Sequence, residues 1–131
     1  MAASESYPED LKYHHEHDWA RIEGDEATLG ITWYAQDSLG EVVFFEPPEV
    51  GAEVDKDASY AEVESVKAVS DVIAPLSGEI TAVNEAVADR PEVINEDPYG
   101  EGWLVKVRVS DSGEADALLD AHAYRELLDE G

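Results

Sequence analysis

The stretch VESVKAVSDVIAP, residues 63–75, decides the fold because it carries a strand, a short break and a second strand. Apolar and polar residues alternate up to Val63, and the alternation resumes at Val69. The pattern therefore predicts a β-hairpin whose tip is formed by residues 65–68. The tip lacks the Asn-Gly or Asp-Gly pair of a two-residue hairpin, which favours a longer type I connection. Lys67 is thereby predicted to stand out into solvent.

Three roles are open to a lysine at such a tip. A Schiff-base nucleophile needs its pKa lowered from about 10.4 to about 7–8, whereas Glu62, Glu64 and Asp71 favour the charged form of Lys67. A solvated turn lysine without a role is the second reading. The third is an amine that a modifying enzyme recognises by the shape of its hairpin. The apolar residues on both sides favour this third role, since turn chemistry otherwise prefers polar residues there.

Strand signals dominate from about residue 13 to residue 109. WARIEG at residues 19–24 and EATLGIT at residues 26–32 predict a hairpin, and GWLVKVRVS at residues 102–110 alternates as a strand with one buried face. WYAQDSLG predicts one helical turn that ends at Gly40. Several short strands at turn-marked intervals predict a mainly β fold, an antiparallel sandwich or small barrel with short helices.

The C-terminal residues 112–131 predict a helical tail. Asp111 or Ser112 is a suitable N-cap, and Asp120 is a point where the tail splits into two short helices. An apolar stripe at near-helical spacing is formed by Leu118, Leu119, Tyr124, Leu127 and Leu128. The stripe predicts that the tail packs against the sheets.

The composition bounds the class of protein. The 131 residues suit one domain, residues 1–131, whose core needs no disulfides or metals. With 32 acidic and 8 basic side chains the net charge is -24, so nucleic acid and membrane surfaces are poor partners. Acidity spread along the whole chain favours a surface adapted to concentrated salt and thus a halophilic source. There is no cysteine, which excludes a protein thiolate as nucleophile or metal ligand.

The N-terminal residues 1–11 are predicted to be flexible. They have neither an apolar core nor basic residues to make a secretory signal, and Glu5, Glu9 and Asp10 argue against a mitochondrial transit peptide. No apolar run approaches the ~18 residues of a transmembrane helix. The expected location is the cytoplasm.

Three segments resemble one known family. ESVKAVSDVIAPLSGEI at residues 64–80 closely resembles the lipoyl-lysine segment of glycine cleavage system H proteins. HDWARIEGDEATLGITWYAQDSLGEVVFFEPPEVG at residues 17–51 is similar to the N-terminal half of that family, and INEDPYGEGWLVKV at residues 94–107 to its later signature. The resemblance implies a β-sandwich of the lipoyl/biotinyl-carrier type, a barrel-sandwich hybrid, with Lys67 carrying lipoic acid as lipoyl-lysine.

The resemblance also implies a function as a shuttle without turnover of its own. A pyridoxal-phosphate glycine decarboxylase would transfer the aminomethyl group of glycine to the lipoyl disulfide. A folate-dependent aminomethyltransferase would take it up, and a flavin dihydrolipoyl dehydrogenase would reoxidise the dithiol. The carrier is expected to be a monomer. A lipoate ligase or lipoyl transferase would recognise the hairpin through Glu64, Ser65, Val66, Ala68 and Asp71.

In this family the loaded arm folds back into a cleft on the carrier. A carboxylate there could hold the ammonium group by a charge-assisted hydrogen bond. The residues expected to line this arm cleft are Asp18, Asp71 and Glu16. The family usually shows His-Glu-Trp where this chain has HDW at residues 17–19, so the carboxylate at Asp18 is one methylene shorter.

Two alternatives stay open. Biotinyl carriers and other lipoyl carriers share the fold; biotin carriers typically flank their lysine with methionine, whereas Val66 and Ala68 flank Lys67 here. The second alternative is a metal-binding protein that uses the cluster of residues 14–17, in which His15 and His17 would share a strand face. A two-residue histidine spacing is a loose signal in so acidic a chain, and the expectation is no metal.

Overall fold

A computed structural model describes residues 5–130 as two antiparallel sheets joined by short helices. Residues 1–4 and residue 131 lie outside the described residues. The strands are β1 (Lys12–His14), β2 (Asp18–Glu23), β3 (Glu26–Ile31), β4 (Val42–Glu46), β5 (Glu53–Val54), β6 (Ser59–Ser65), β7 (Val69–Ile73), β8 (Gly78–Val83) and β9 (Val105–Val109). The helices are α1 (Trp33–Leu39), α2 (Glu85–Asp89), α3 (Val93–Glu96), a 3₁₀ helix (Ser112–Ala117) and α4 (Ala121–Glu130).

The two sheets form a sandwich. One sheet has six strands in the order β1-β2-β3-β9-β8-β5, and the other has three in the order β4-β6-β7. All strand pairs are antiparallel, including the predicted β2–β3 and β6–β7 hairpins. The predicted fold class, a mainly β carrier-type sandwich with short helices, is confirmed.

The main core lies where the inner faces of the sheets meet. Val63 and Val72 come from the small sheet, and Leu29, Ile80 and Val107 from the large one, all with an exposed fraction of 2% or less. Each buried side chain of this size contributes about 1.5–3 kcal/mol by leaving water. The alternation in β9 follows from this packing, because Val105 and Val107 are buried while Arg108 is exposed.

A second cluster, the aromatic cluster, lies on the outer face of the large sheet. Tyr13 of β1 stacks on Tyr124 of α4 with ring centroids 4.8 Å apart, and Tyr7 meets Tyr124 edge-on. Tyr7 and Leu11 are buried in this cluster. The segment from residue 5 to residue 11 is therefore packed on the protein, which differs from the flexibility expected for the N-terminus; residues 1–4 of that prediction are outside the described residues.

Helix α1 and the helices of the C-terminal tail agree with the sequence predictions. Thr32 caps α1 by accepting a hydrogen bond from the Ala35 backbone N–H, and the helix ends at Gly40, as predicted. The C-terminal tail is split before α4, and Asp111 caps the 3₁₀ helix through the Gly113 N–H. Within residues 5–130, none of the helices is long and apolar enough to span a bilayer.

Candidate functional site

Lys67 is exposed at the tip of the β6–β7 hairpin. Ser65 closes the tip: its hydroxyl oxygen accepts hydrogen bonds from the backbone N–H groups of Lys67 (3.3 Å) and Ala68 (3.1 Å). The Val66 N–H donates to the carbonyl oxygen of Glu41 (3.1 Å), which ties the tip to the loop before β4. The lysine backbone is thus held while its side chain stays in water.

Gly40 forms the surface under the lysine side chain. Its dihedral angles, φ 81° and ψ −153°, lie in a region that is essentially restricted to glycine. A β-carbon at this position would lie 3.3 Å from Cε of Lys67. Asn95 fixes the turn by donating to the Gly40 carbonyl oxygen (2.9 Å) and accepting from the Val42 N–H (2.9 Å). The lysine stem therefore crosses the end of α1 at a rigid point.

A cavity of about 190 Å³, here called the α1 cavity, is lined by the last residues of α1, which directly precede Gly40. Its walls come from the turn before β2, the end of β3, helix α1, and strands β6 and β7. The lining residues are Glu16, His17, Asp18, Ile31, Tyr34, Ala35, Ser38, Leu39, Val63, Ser70, Asp71 and Val72. The three residues predicted to line an arm cleft, Glu16, Asp18 and Asp71, thus surround one cavity.

Asp18 is the buried carboxyl group of the α1 cavity, with an exposed fraction of 2%. Burial raises its pKa well above the ordinary value, and a hydrogen bond from the Ile73 backbone opposes this effect. Its Oδ2 atom has no hydrogen-bond partner among the described residues. Glu16 and Asp71, in contrast, are exposed at the rim. The interior of the cavity therefore offers an unpaired acceptor that suits a cationic group.

His17 lies in a turn and not on a strand as expected. Its φ of 75° and a hydrogen bond from its N–H to the His14 carbonyl oxygen (2.9 Å) interrupt the chain between β1 and β2. Its Nδ1 lies 2.8 Å from the hydroxyl of Tyr124, and desolvation by burial lowers its pKa. The side chain thus connects the cavity wall to α4.

The other histidines of the cluster have different partners. Nδ1 of His14 accepts from the Glu16 N–H (3.0 Å), and its Nε2 lies 2.6 Å from Oδ1 of Asp57. This contact lowers the pKa of Asp57. In residues 5–130 no group of three or more His, Cys, Asp or Glu side chains is arranged to hold a metal ion. His15 and His17 lie in the turn between β1 and β2, so the strand face that the metal alternative assigns to them is wrong.

The residues predicted for ligase recognition are grouped around the tip. Glu64, Val66, Ala68 and Asp71 are exposed, whereas Ser65 is buried and supports the turn. Val66 and Val69 are large apolar side chains exposed to 66% and 59%. The tip thus presents apolar and acidic groups next to Lys67.

The sequence did not predict several of the residues that line the α1 cavity. His17, Tyr34 and Ser38 come from a turn and a short helix far from the lysine in the chain. The ring centroids of His17 and Tyr34 are 4.6 Å apart. The sequence predicts the helix α1. It does not predict that α1 and β7 line the same cavity, because that arrangement depends on tertiary packing.

A two-sheet sandwich with a lysine at an exposed hairpin tip is the arrangement of the lipoyl/biotinyl-carrier type β-sandwich. The chain matches the family described as Glycine cleavage H-protein over residues 11–131. It is 57% identical over 126 residues to a glycine cleavage system H protein of Halorhodospira halophila, covering 95% of this chain and 97% of the relative. The chain belongs to the glycine cleavage H-protein family.

Further relatives agree with this assignment. A probable glycine cleavage system H protein of Haloarcula marismortui is 51% identical over 122 residues, covering 93% of this chain and 96% of the relative. The crystal structure of a glycine cleavage system H protein from Mycobacterium marinum superposes with a TM-score of 0.86 at 44% identity, covering 93% of this chain and 98% of that chain.

Proposed function

We propose that the protein is the lipoylated carrier of the glycine cleavage system and that Lys67 is the attachment residue. The observation that carries this proposal is the relation between the exposed amine and the α1 cavity. The Lys67 stem crosses Gly40, which directly follows the cavity-lining residues Ser38 and Leu39. A group extended from the Nζ atom has both free solvent and a cavity within its range.

The residues of the cavity fit the arm that the family implies. When bound, the lipoyl group supplies a disulfide that accepts the aminomethyl group of glycine and two electrons. Leu39, Val63 and Val72 provide an apolar wall for a hydrocarbon chain, and Asp18 provides an unpaired acceptor inside the cavity. Both features match an apolar arm that ends in an amine.

Asp18 is proposed to hold the ammonium group of the cargo. An opposite charge favours the ionised carboxylate, so a cation in the cavity offsets the desolvation that raises the Asp18 pKa in the empty carrier. The resulting charge-assisted hydrogen bond is stronger than a neutral one. Glu16 and Asp71 at the rim would attract the cation before it enters, and the enclosed walls would limit the access of water.

The partners follow from this role. Glycine decarboxylase would load the arm, the folate-dependent aminomethyltransferase would unload it, and dihydrolipoyl dehydrogenase would reoxidise it, while the carrier itself turns over nothing. Tethering gives each docked partner a high effective concentration of the cargo. A lipoate ligase or lipoyl transferase would read Glu64, Val66, Ala68 and Asp71 around the Ser65 turn. We propose that the carrier acts as a monomer.

The setting is proposed to be a cytoplasm of high ionic strength. The net charge of -24 keeps the surface hydrated, and salt screens the mutual repulsion of its carboxylates. This charge also disfavours binding to phosphate groups of nucleic acids and lipids.

Mass spectrometry after co-expression with a lipoate ligase tests the attachment. We expect one lipoyl increment on the intact protein and on the peptide that contains Lys67. The Lys67→Arg variant should carry none, whereas Lys12→Arg, at an exposed lysine of β1, should be modified like the wild type. An increment on another lysine, or a biotin increment with a biotin ligase, would contradict the proposal.

A further inference from the structure

Two buried polar atoms lack a partner in the described part of the chain: Oδ2 of Asp18 and the hydroxyl of Tyr60. Both side chains are almost completely enclosed, with exposed fractions of 2% and 8%. Buried polar side chains in native proteins nearly always have a hydrogen-bond partner. An unpaired acceptor and an unpaired donor in one small protein therefore require an explanation.

A β-bulge brings Tyr60 into the interior. The β6–β7 ladder pairs Ser59 with Ile73 and then Ala61 with Val72, so Tyr60 is the extra residue of β6. Tyr60 and Ala61 are consecutive and both buried, and the bulge lies between their flanking ladder pairs. Bulges commonly redirect a side chain next to a functional site.

The bulge and Asp18 share one interior region. The carboxyl group of Asp18 accepts a hydrogen bond from the backbone of Ile73, the residue opposite the start of the bulge. Burial raises the pKa of the Tyr60 hydroxyl well above its ordinary value, and the charge of Asp18 adds to this effect. Asp18 lines the α1 cavity whereas Tyr60 does not. Tyr60 is therefore a neighbour of Asp18 that does not line the cavity.

This arrangement gives the two faces of Asp18 different tasks. From the cavity side, a cation can approach the carboxylate. From the protein side, a phenol hydroxyl can donate to an oxygen that the cation leaves unpaired, and a buried carboxylate needs such donors to remain ionised. The complementary chemistry of the two unpaired groups points to a hydrogen bond that forms when Asp18 is charged.

We propose that Tyr60 is a positioning residue for Asp18: its hydroxyl donates a hydrogen bond to the Asp18 carboxylate and holds it ionised and oriented for the ammonium group of the cargo. The inference rests on the proposed carrier function and adds a residue that does not touch the arm. It predicts an effect of a hydroxyl whose removal costs no hydrogen bond while Asp18 is protonated.

A carboxyl-carbon NMR titration of the unlipoylated protein tests the proposal without any cofactor. Tyr60→Phe should raise the midpoint of the Asp18 titration, because the charged form loses its donor. The other titratable groups around Asp18 are the same in both proteins; they are Glu16, His17, Tyr34, Asp71 and Tyr124. An unchanged midpoint would overturn the proposal.

Tyr13→Phe is the matched control. Tyr13 is also buried, but it belongs to the aromatic cluster and donates to the Pro8 carbonyl oxygen (2.6 Å). Its variant should lose thermal stability and leave the Asp18 midpoint in place. At a pH where Asp18 is protonated, Tyr60→Phe should retain or increase the melting temperature, since it removes a hydroxyl that then has no partner.

A double-variant cycle on the lipoylated carrier supplies the functional readout. Tyr60→Phe should shorten the retention of the aminomethyl cargo by about tenfold, as expected for a hydrogen bond to a charged group. In an Asp18→Asn background the same change should have no effect, whereas a purely structural role would give additive losses. Additive losses would overturn the inference. If the wild type is not lipoylated at Lys67 or does not retain cargo, the carrier function itself fails.

Discussion

The hairpin tip and the α1 cavity place their key groups in opposite surroundings. Lys67 is exposed, and its turn is closed by Ser65, two residues away. Asp18 has an exposed fraction of 2% and depends on a hydrogen bond from Ile73, in a strand of the other sheet. The tip is a local structure in water, and the cavity is a nonlocal structure in the interior.

The difference teaches what each region contributes to a carrier. A modifying enzyme needs an accessible amine on a stable turn, which a short segment provides. Protection of a cationic cargo needs desolvation and a buried carboxylate, which several segments must build together. Substitutions should therefore separate attachment at the tip from retention in the cavity.

Replacing Asp18 should give the largest effect. In lipoylated Asp18→Asn, the half-life of the loaded cargo should fall at least about 30-fold, because truncating one partner of a buried charge pair costs about 2 kcal/mol or more. The rate of lipoylation at Lys67 should be unchanged, because the tip does not depend on the cavity. Following ammonia release from the loaded carrier by time-resolved assay measures the half-life.

Asp71→Asn is the matched control for that experiment. Asp71 lines the same cavity but is exposed, so its charge is screened and should matter only a few-fold. Equal losses in both variants would show that burial does not distinguish the two carboxylates. An unchanged half-life in Asp18→Asn would remove Asp18 from the cargo site.

The sequence predicts the tip well for a physical reason. Strand alternation has a period of two, so the break at residues 65–68 fixes the turn and the exposure of Lys67. The sequence likewise predicts that the helix ends at Gly40. These features depend on neighbours in the chain, and both predictions agree with the structure.

The cavity is less readable from sequence. His17 adopts a positive φ that the residue pattern does not predict. The chain therefore forms a turn where the sequence predicts a strand. The bulge at Tyr60 likewise interrupts the alternation along β6, and the Tyr60 side chain is buried in the interior. Only the family resemblance distinguishes Asp18 from the many other acidic residues of the chain, because its burial results from tertiary packing.

Gly40 joins the two regions, and its replacement should give the next largest effect. Gly40→Ala should lower the free energy of unfolding by about 2 kcal/mol, because alanine is strained at φ 81° and ψ −153°. Its β-carbon would also meet Cε of Lys67 at 3.3 Å, so lipoylation should slow several-fold. Denaturant unfolding and a ligase time course measure the two effects.

Gly51→Ala separates strain from contact. Gly51 also has a positive φ, 96°, but a β-carbon there would meet no atom within 4 Å. This variant should lose stability and be lipoylated at the wild-type rate. If both variants are lipoylated equally fast, the crossing of Lys67 over Gly40 does not guide the ligase.

The smallest expected effect is a pH-dependent cost of the buried carboxyl group. Burial raises the pKa of Asp18 above its ordinary value of 3.8, so the folded state binds this proton more tightly than the unfolded chain does. The free energy of unfolding therefore decreases as pH rises above that value. Asp18→Asn removes this cost, and its melting temperature at pH 8 should exceed that of the wild type by about 3 °C.

The difference between the two melting temperatures should shrink as pH falls to about 3, below the ordinary aspartate pKa of 3.8, where Asp18 is mostly protonated in both states. The contribution of Asp57 to the pH dependence of stability has the opposite sign, because its lowered pKa makes the fold more stable at higher pH. Asp57 is present in both proteins, so this contribution cancels in the comparison. A variant less stable than the wild type at pH 8 would mean that the Asp18 carboxylate is already fully paired in the empty carrier. The cavity would then hold its own counter-charge, and loading would have to displace it.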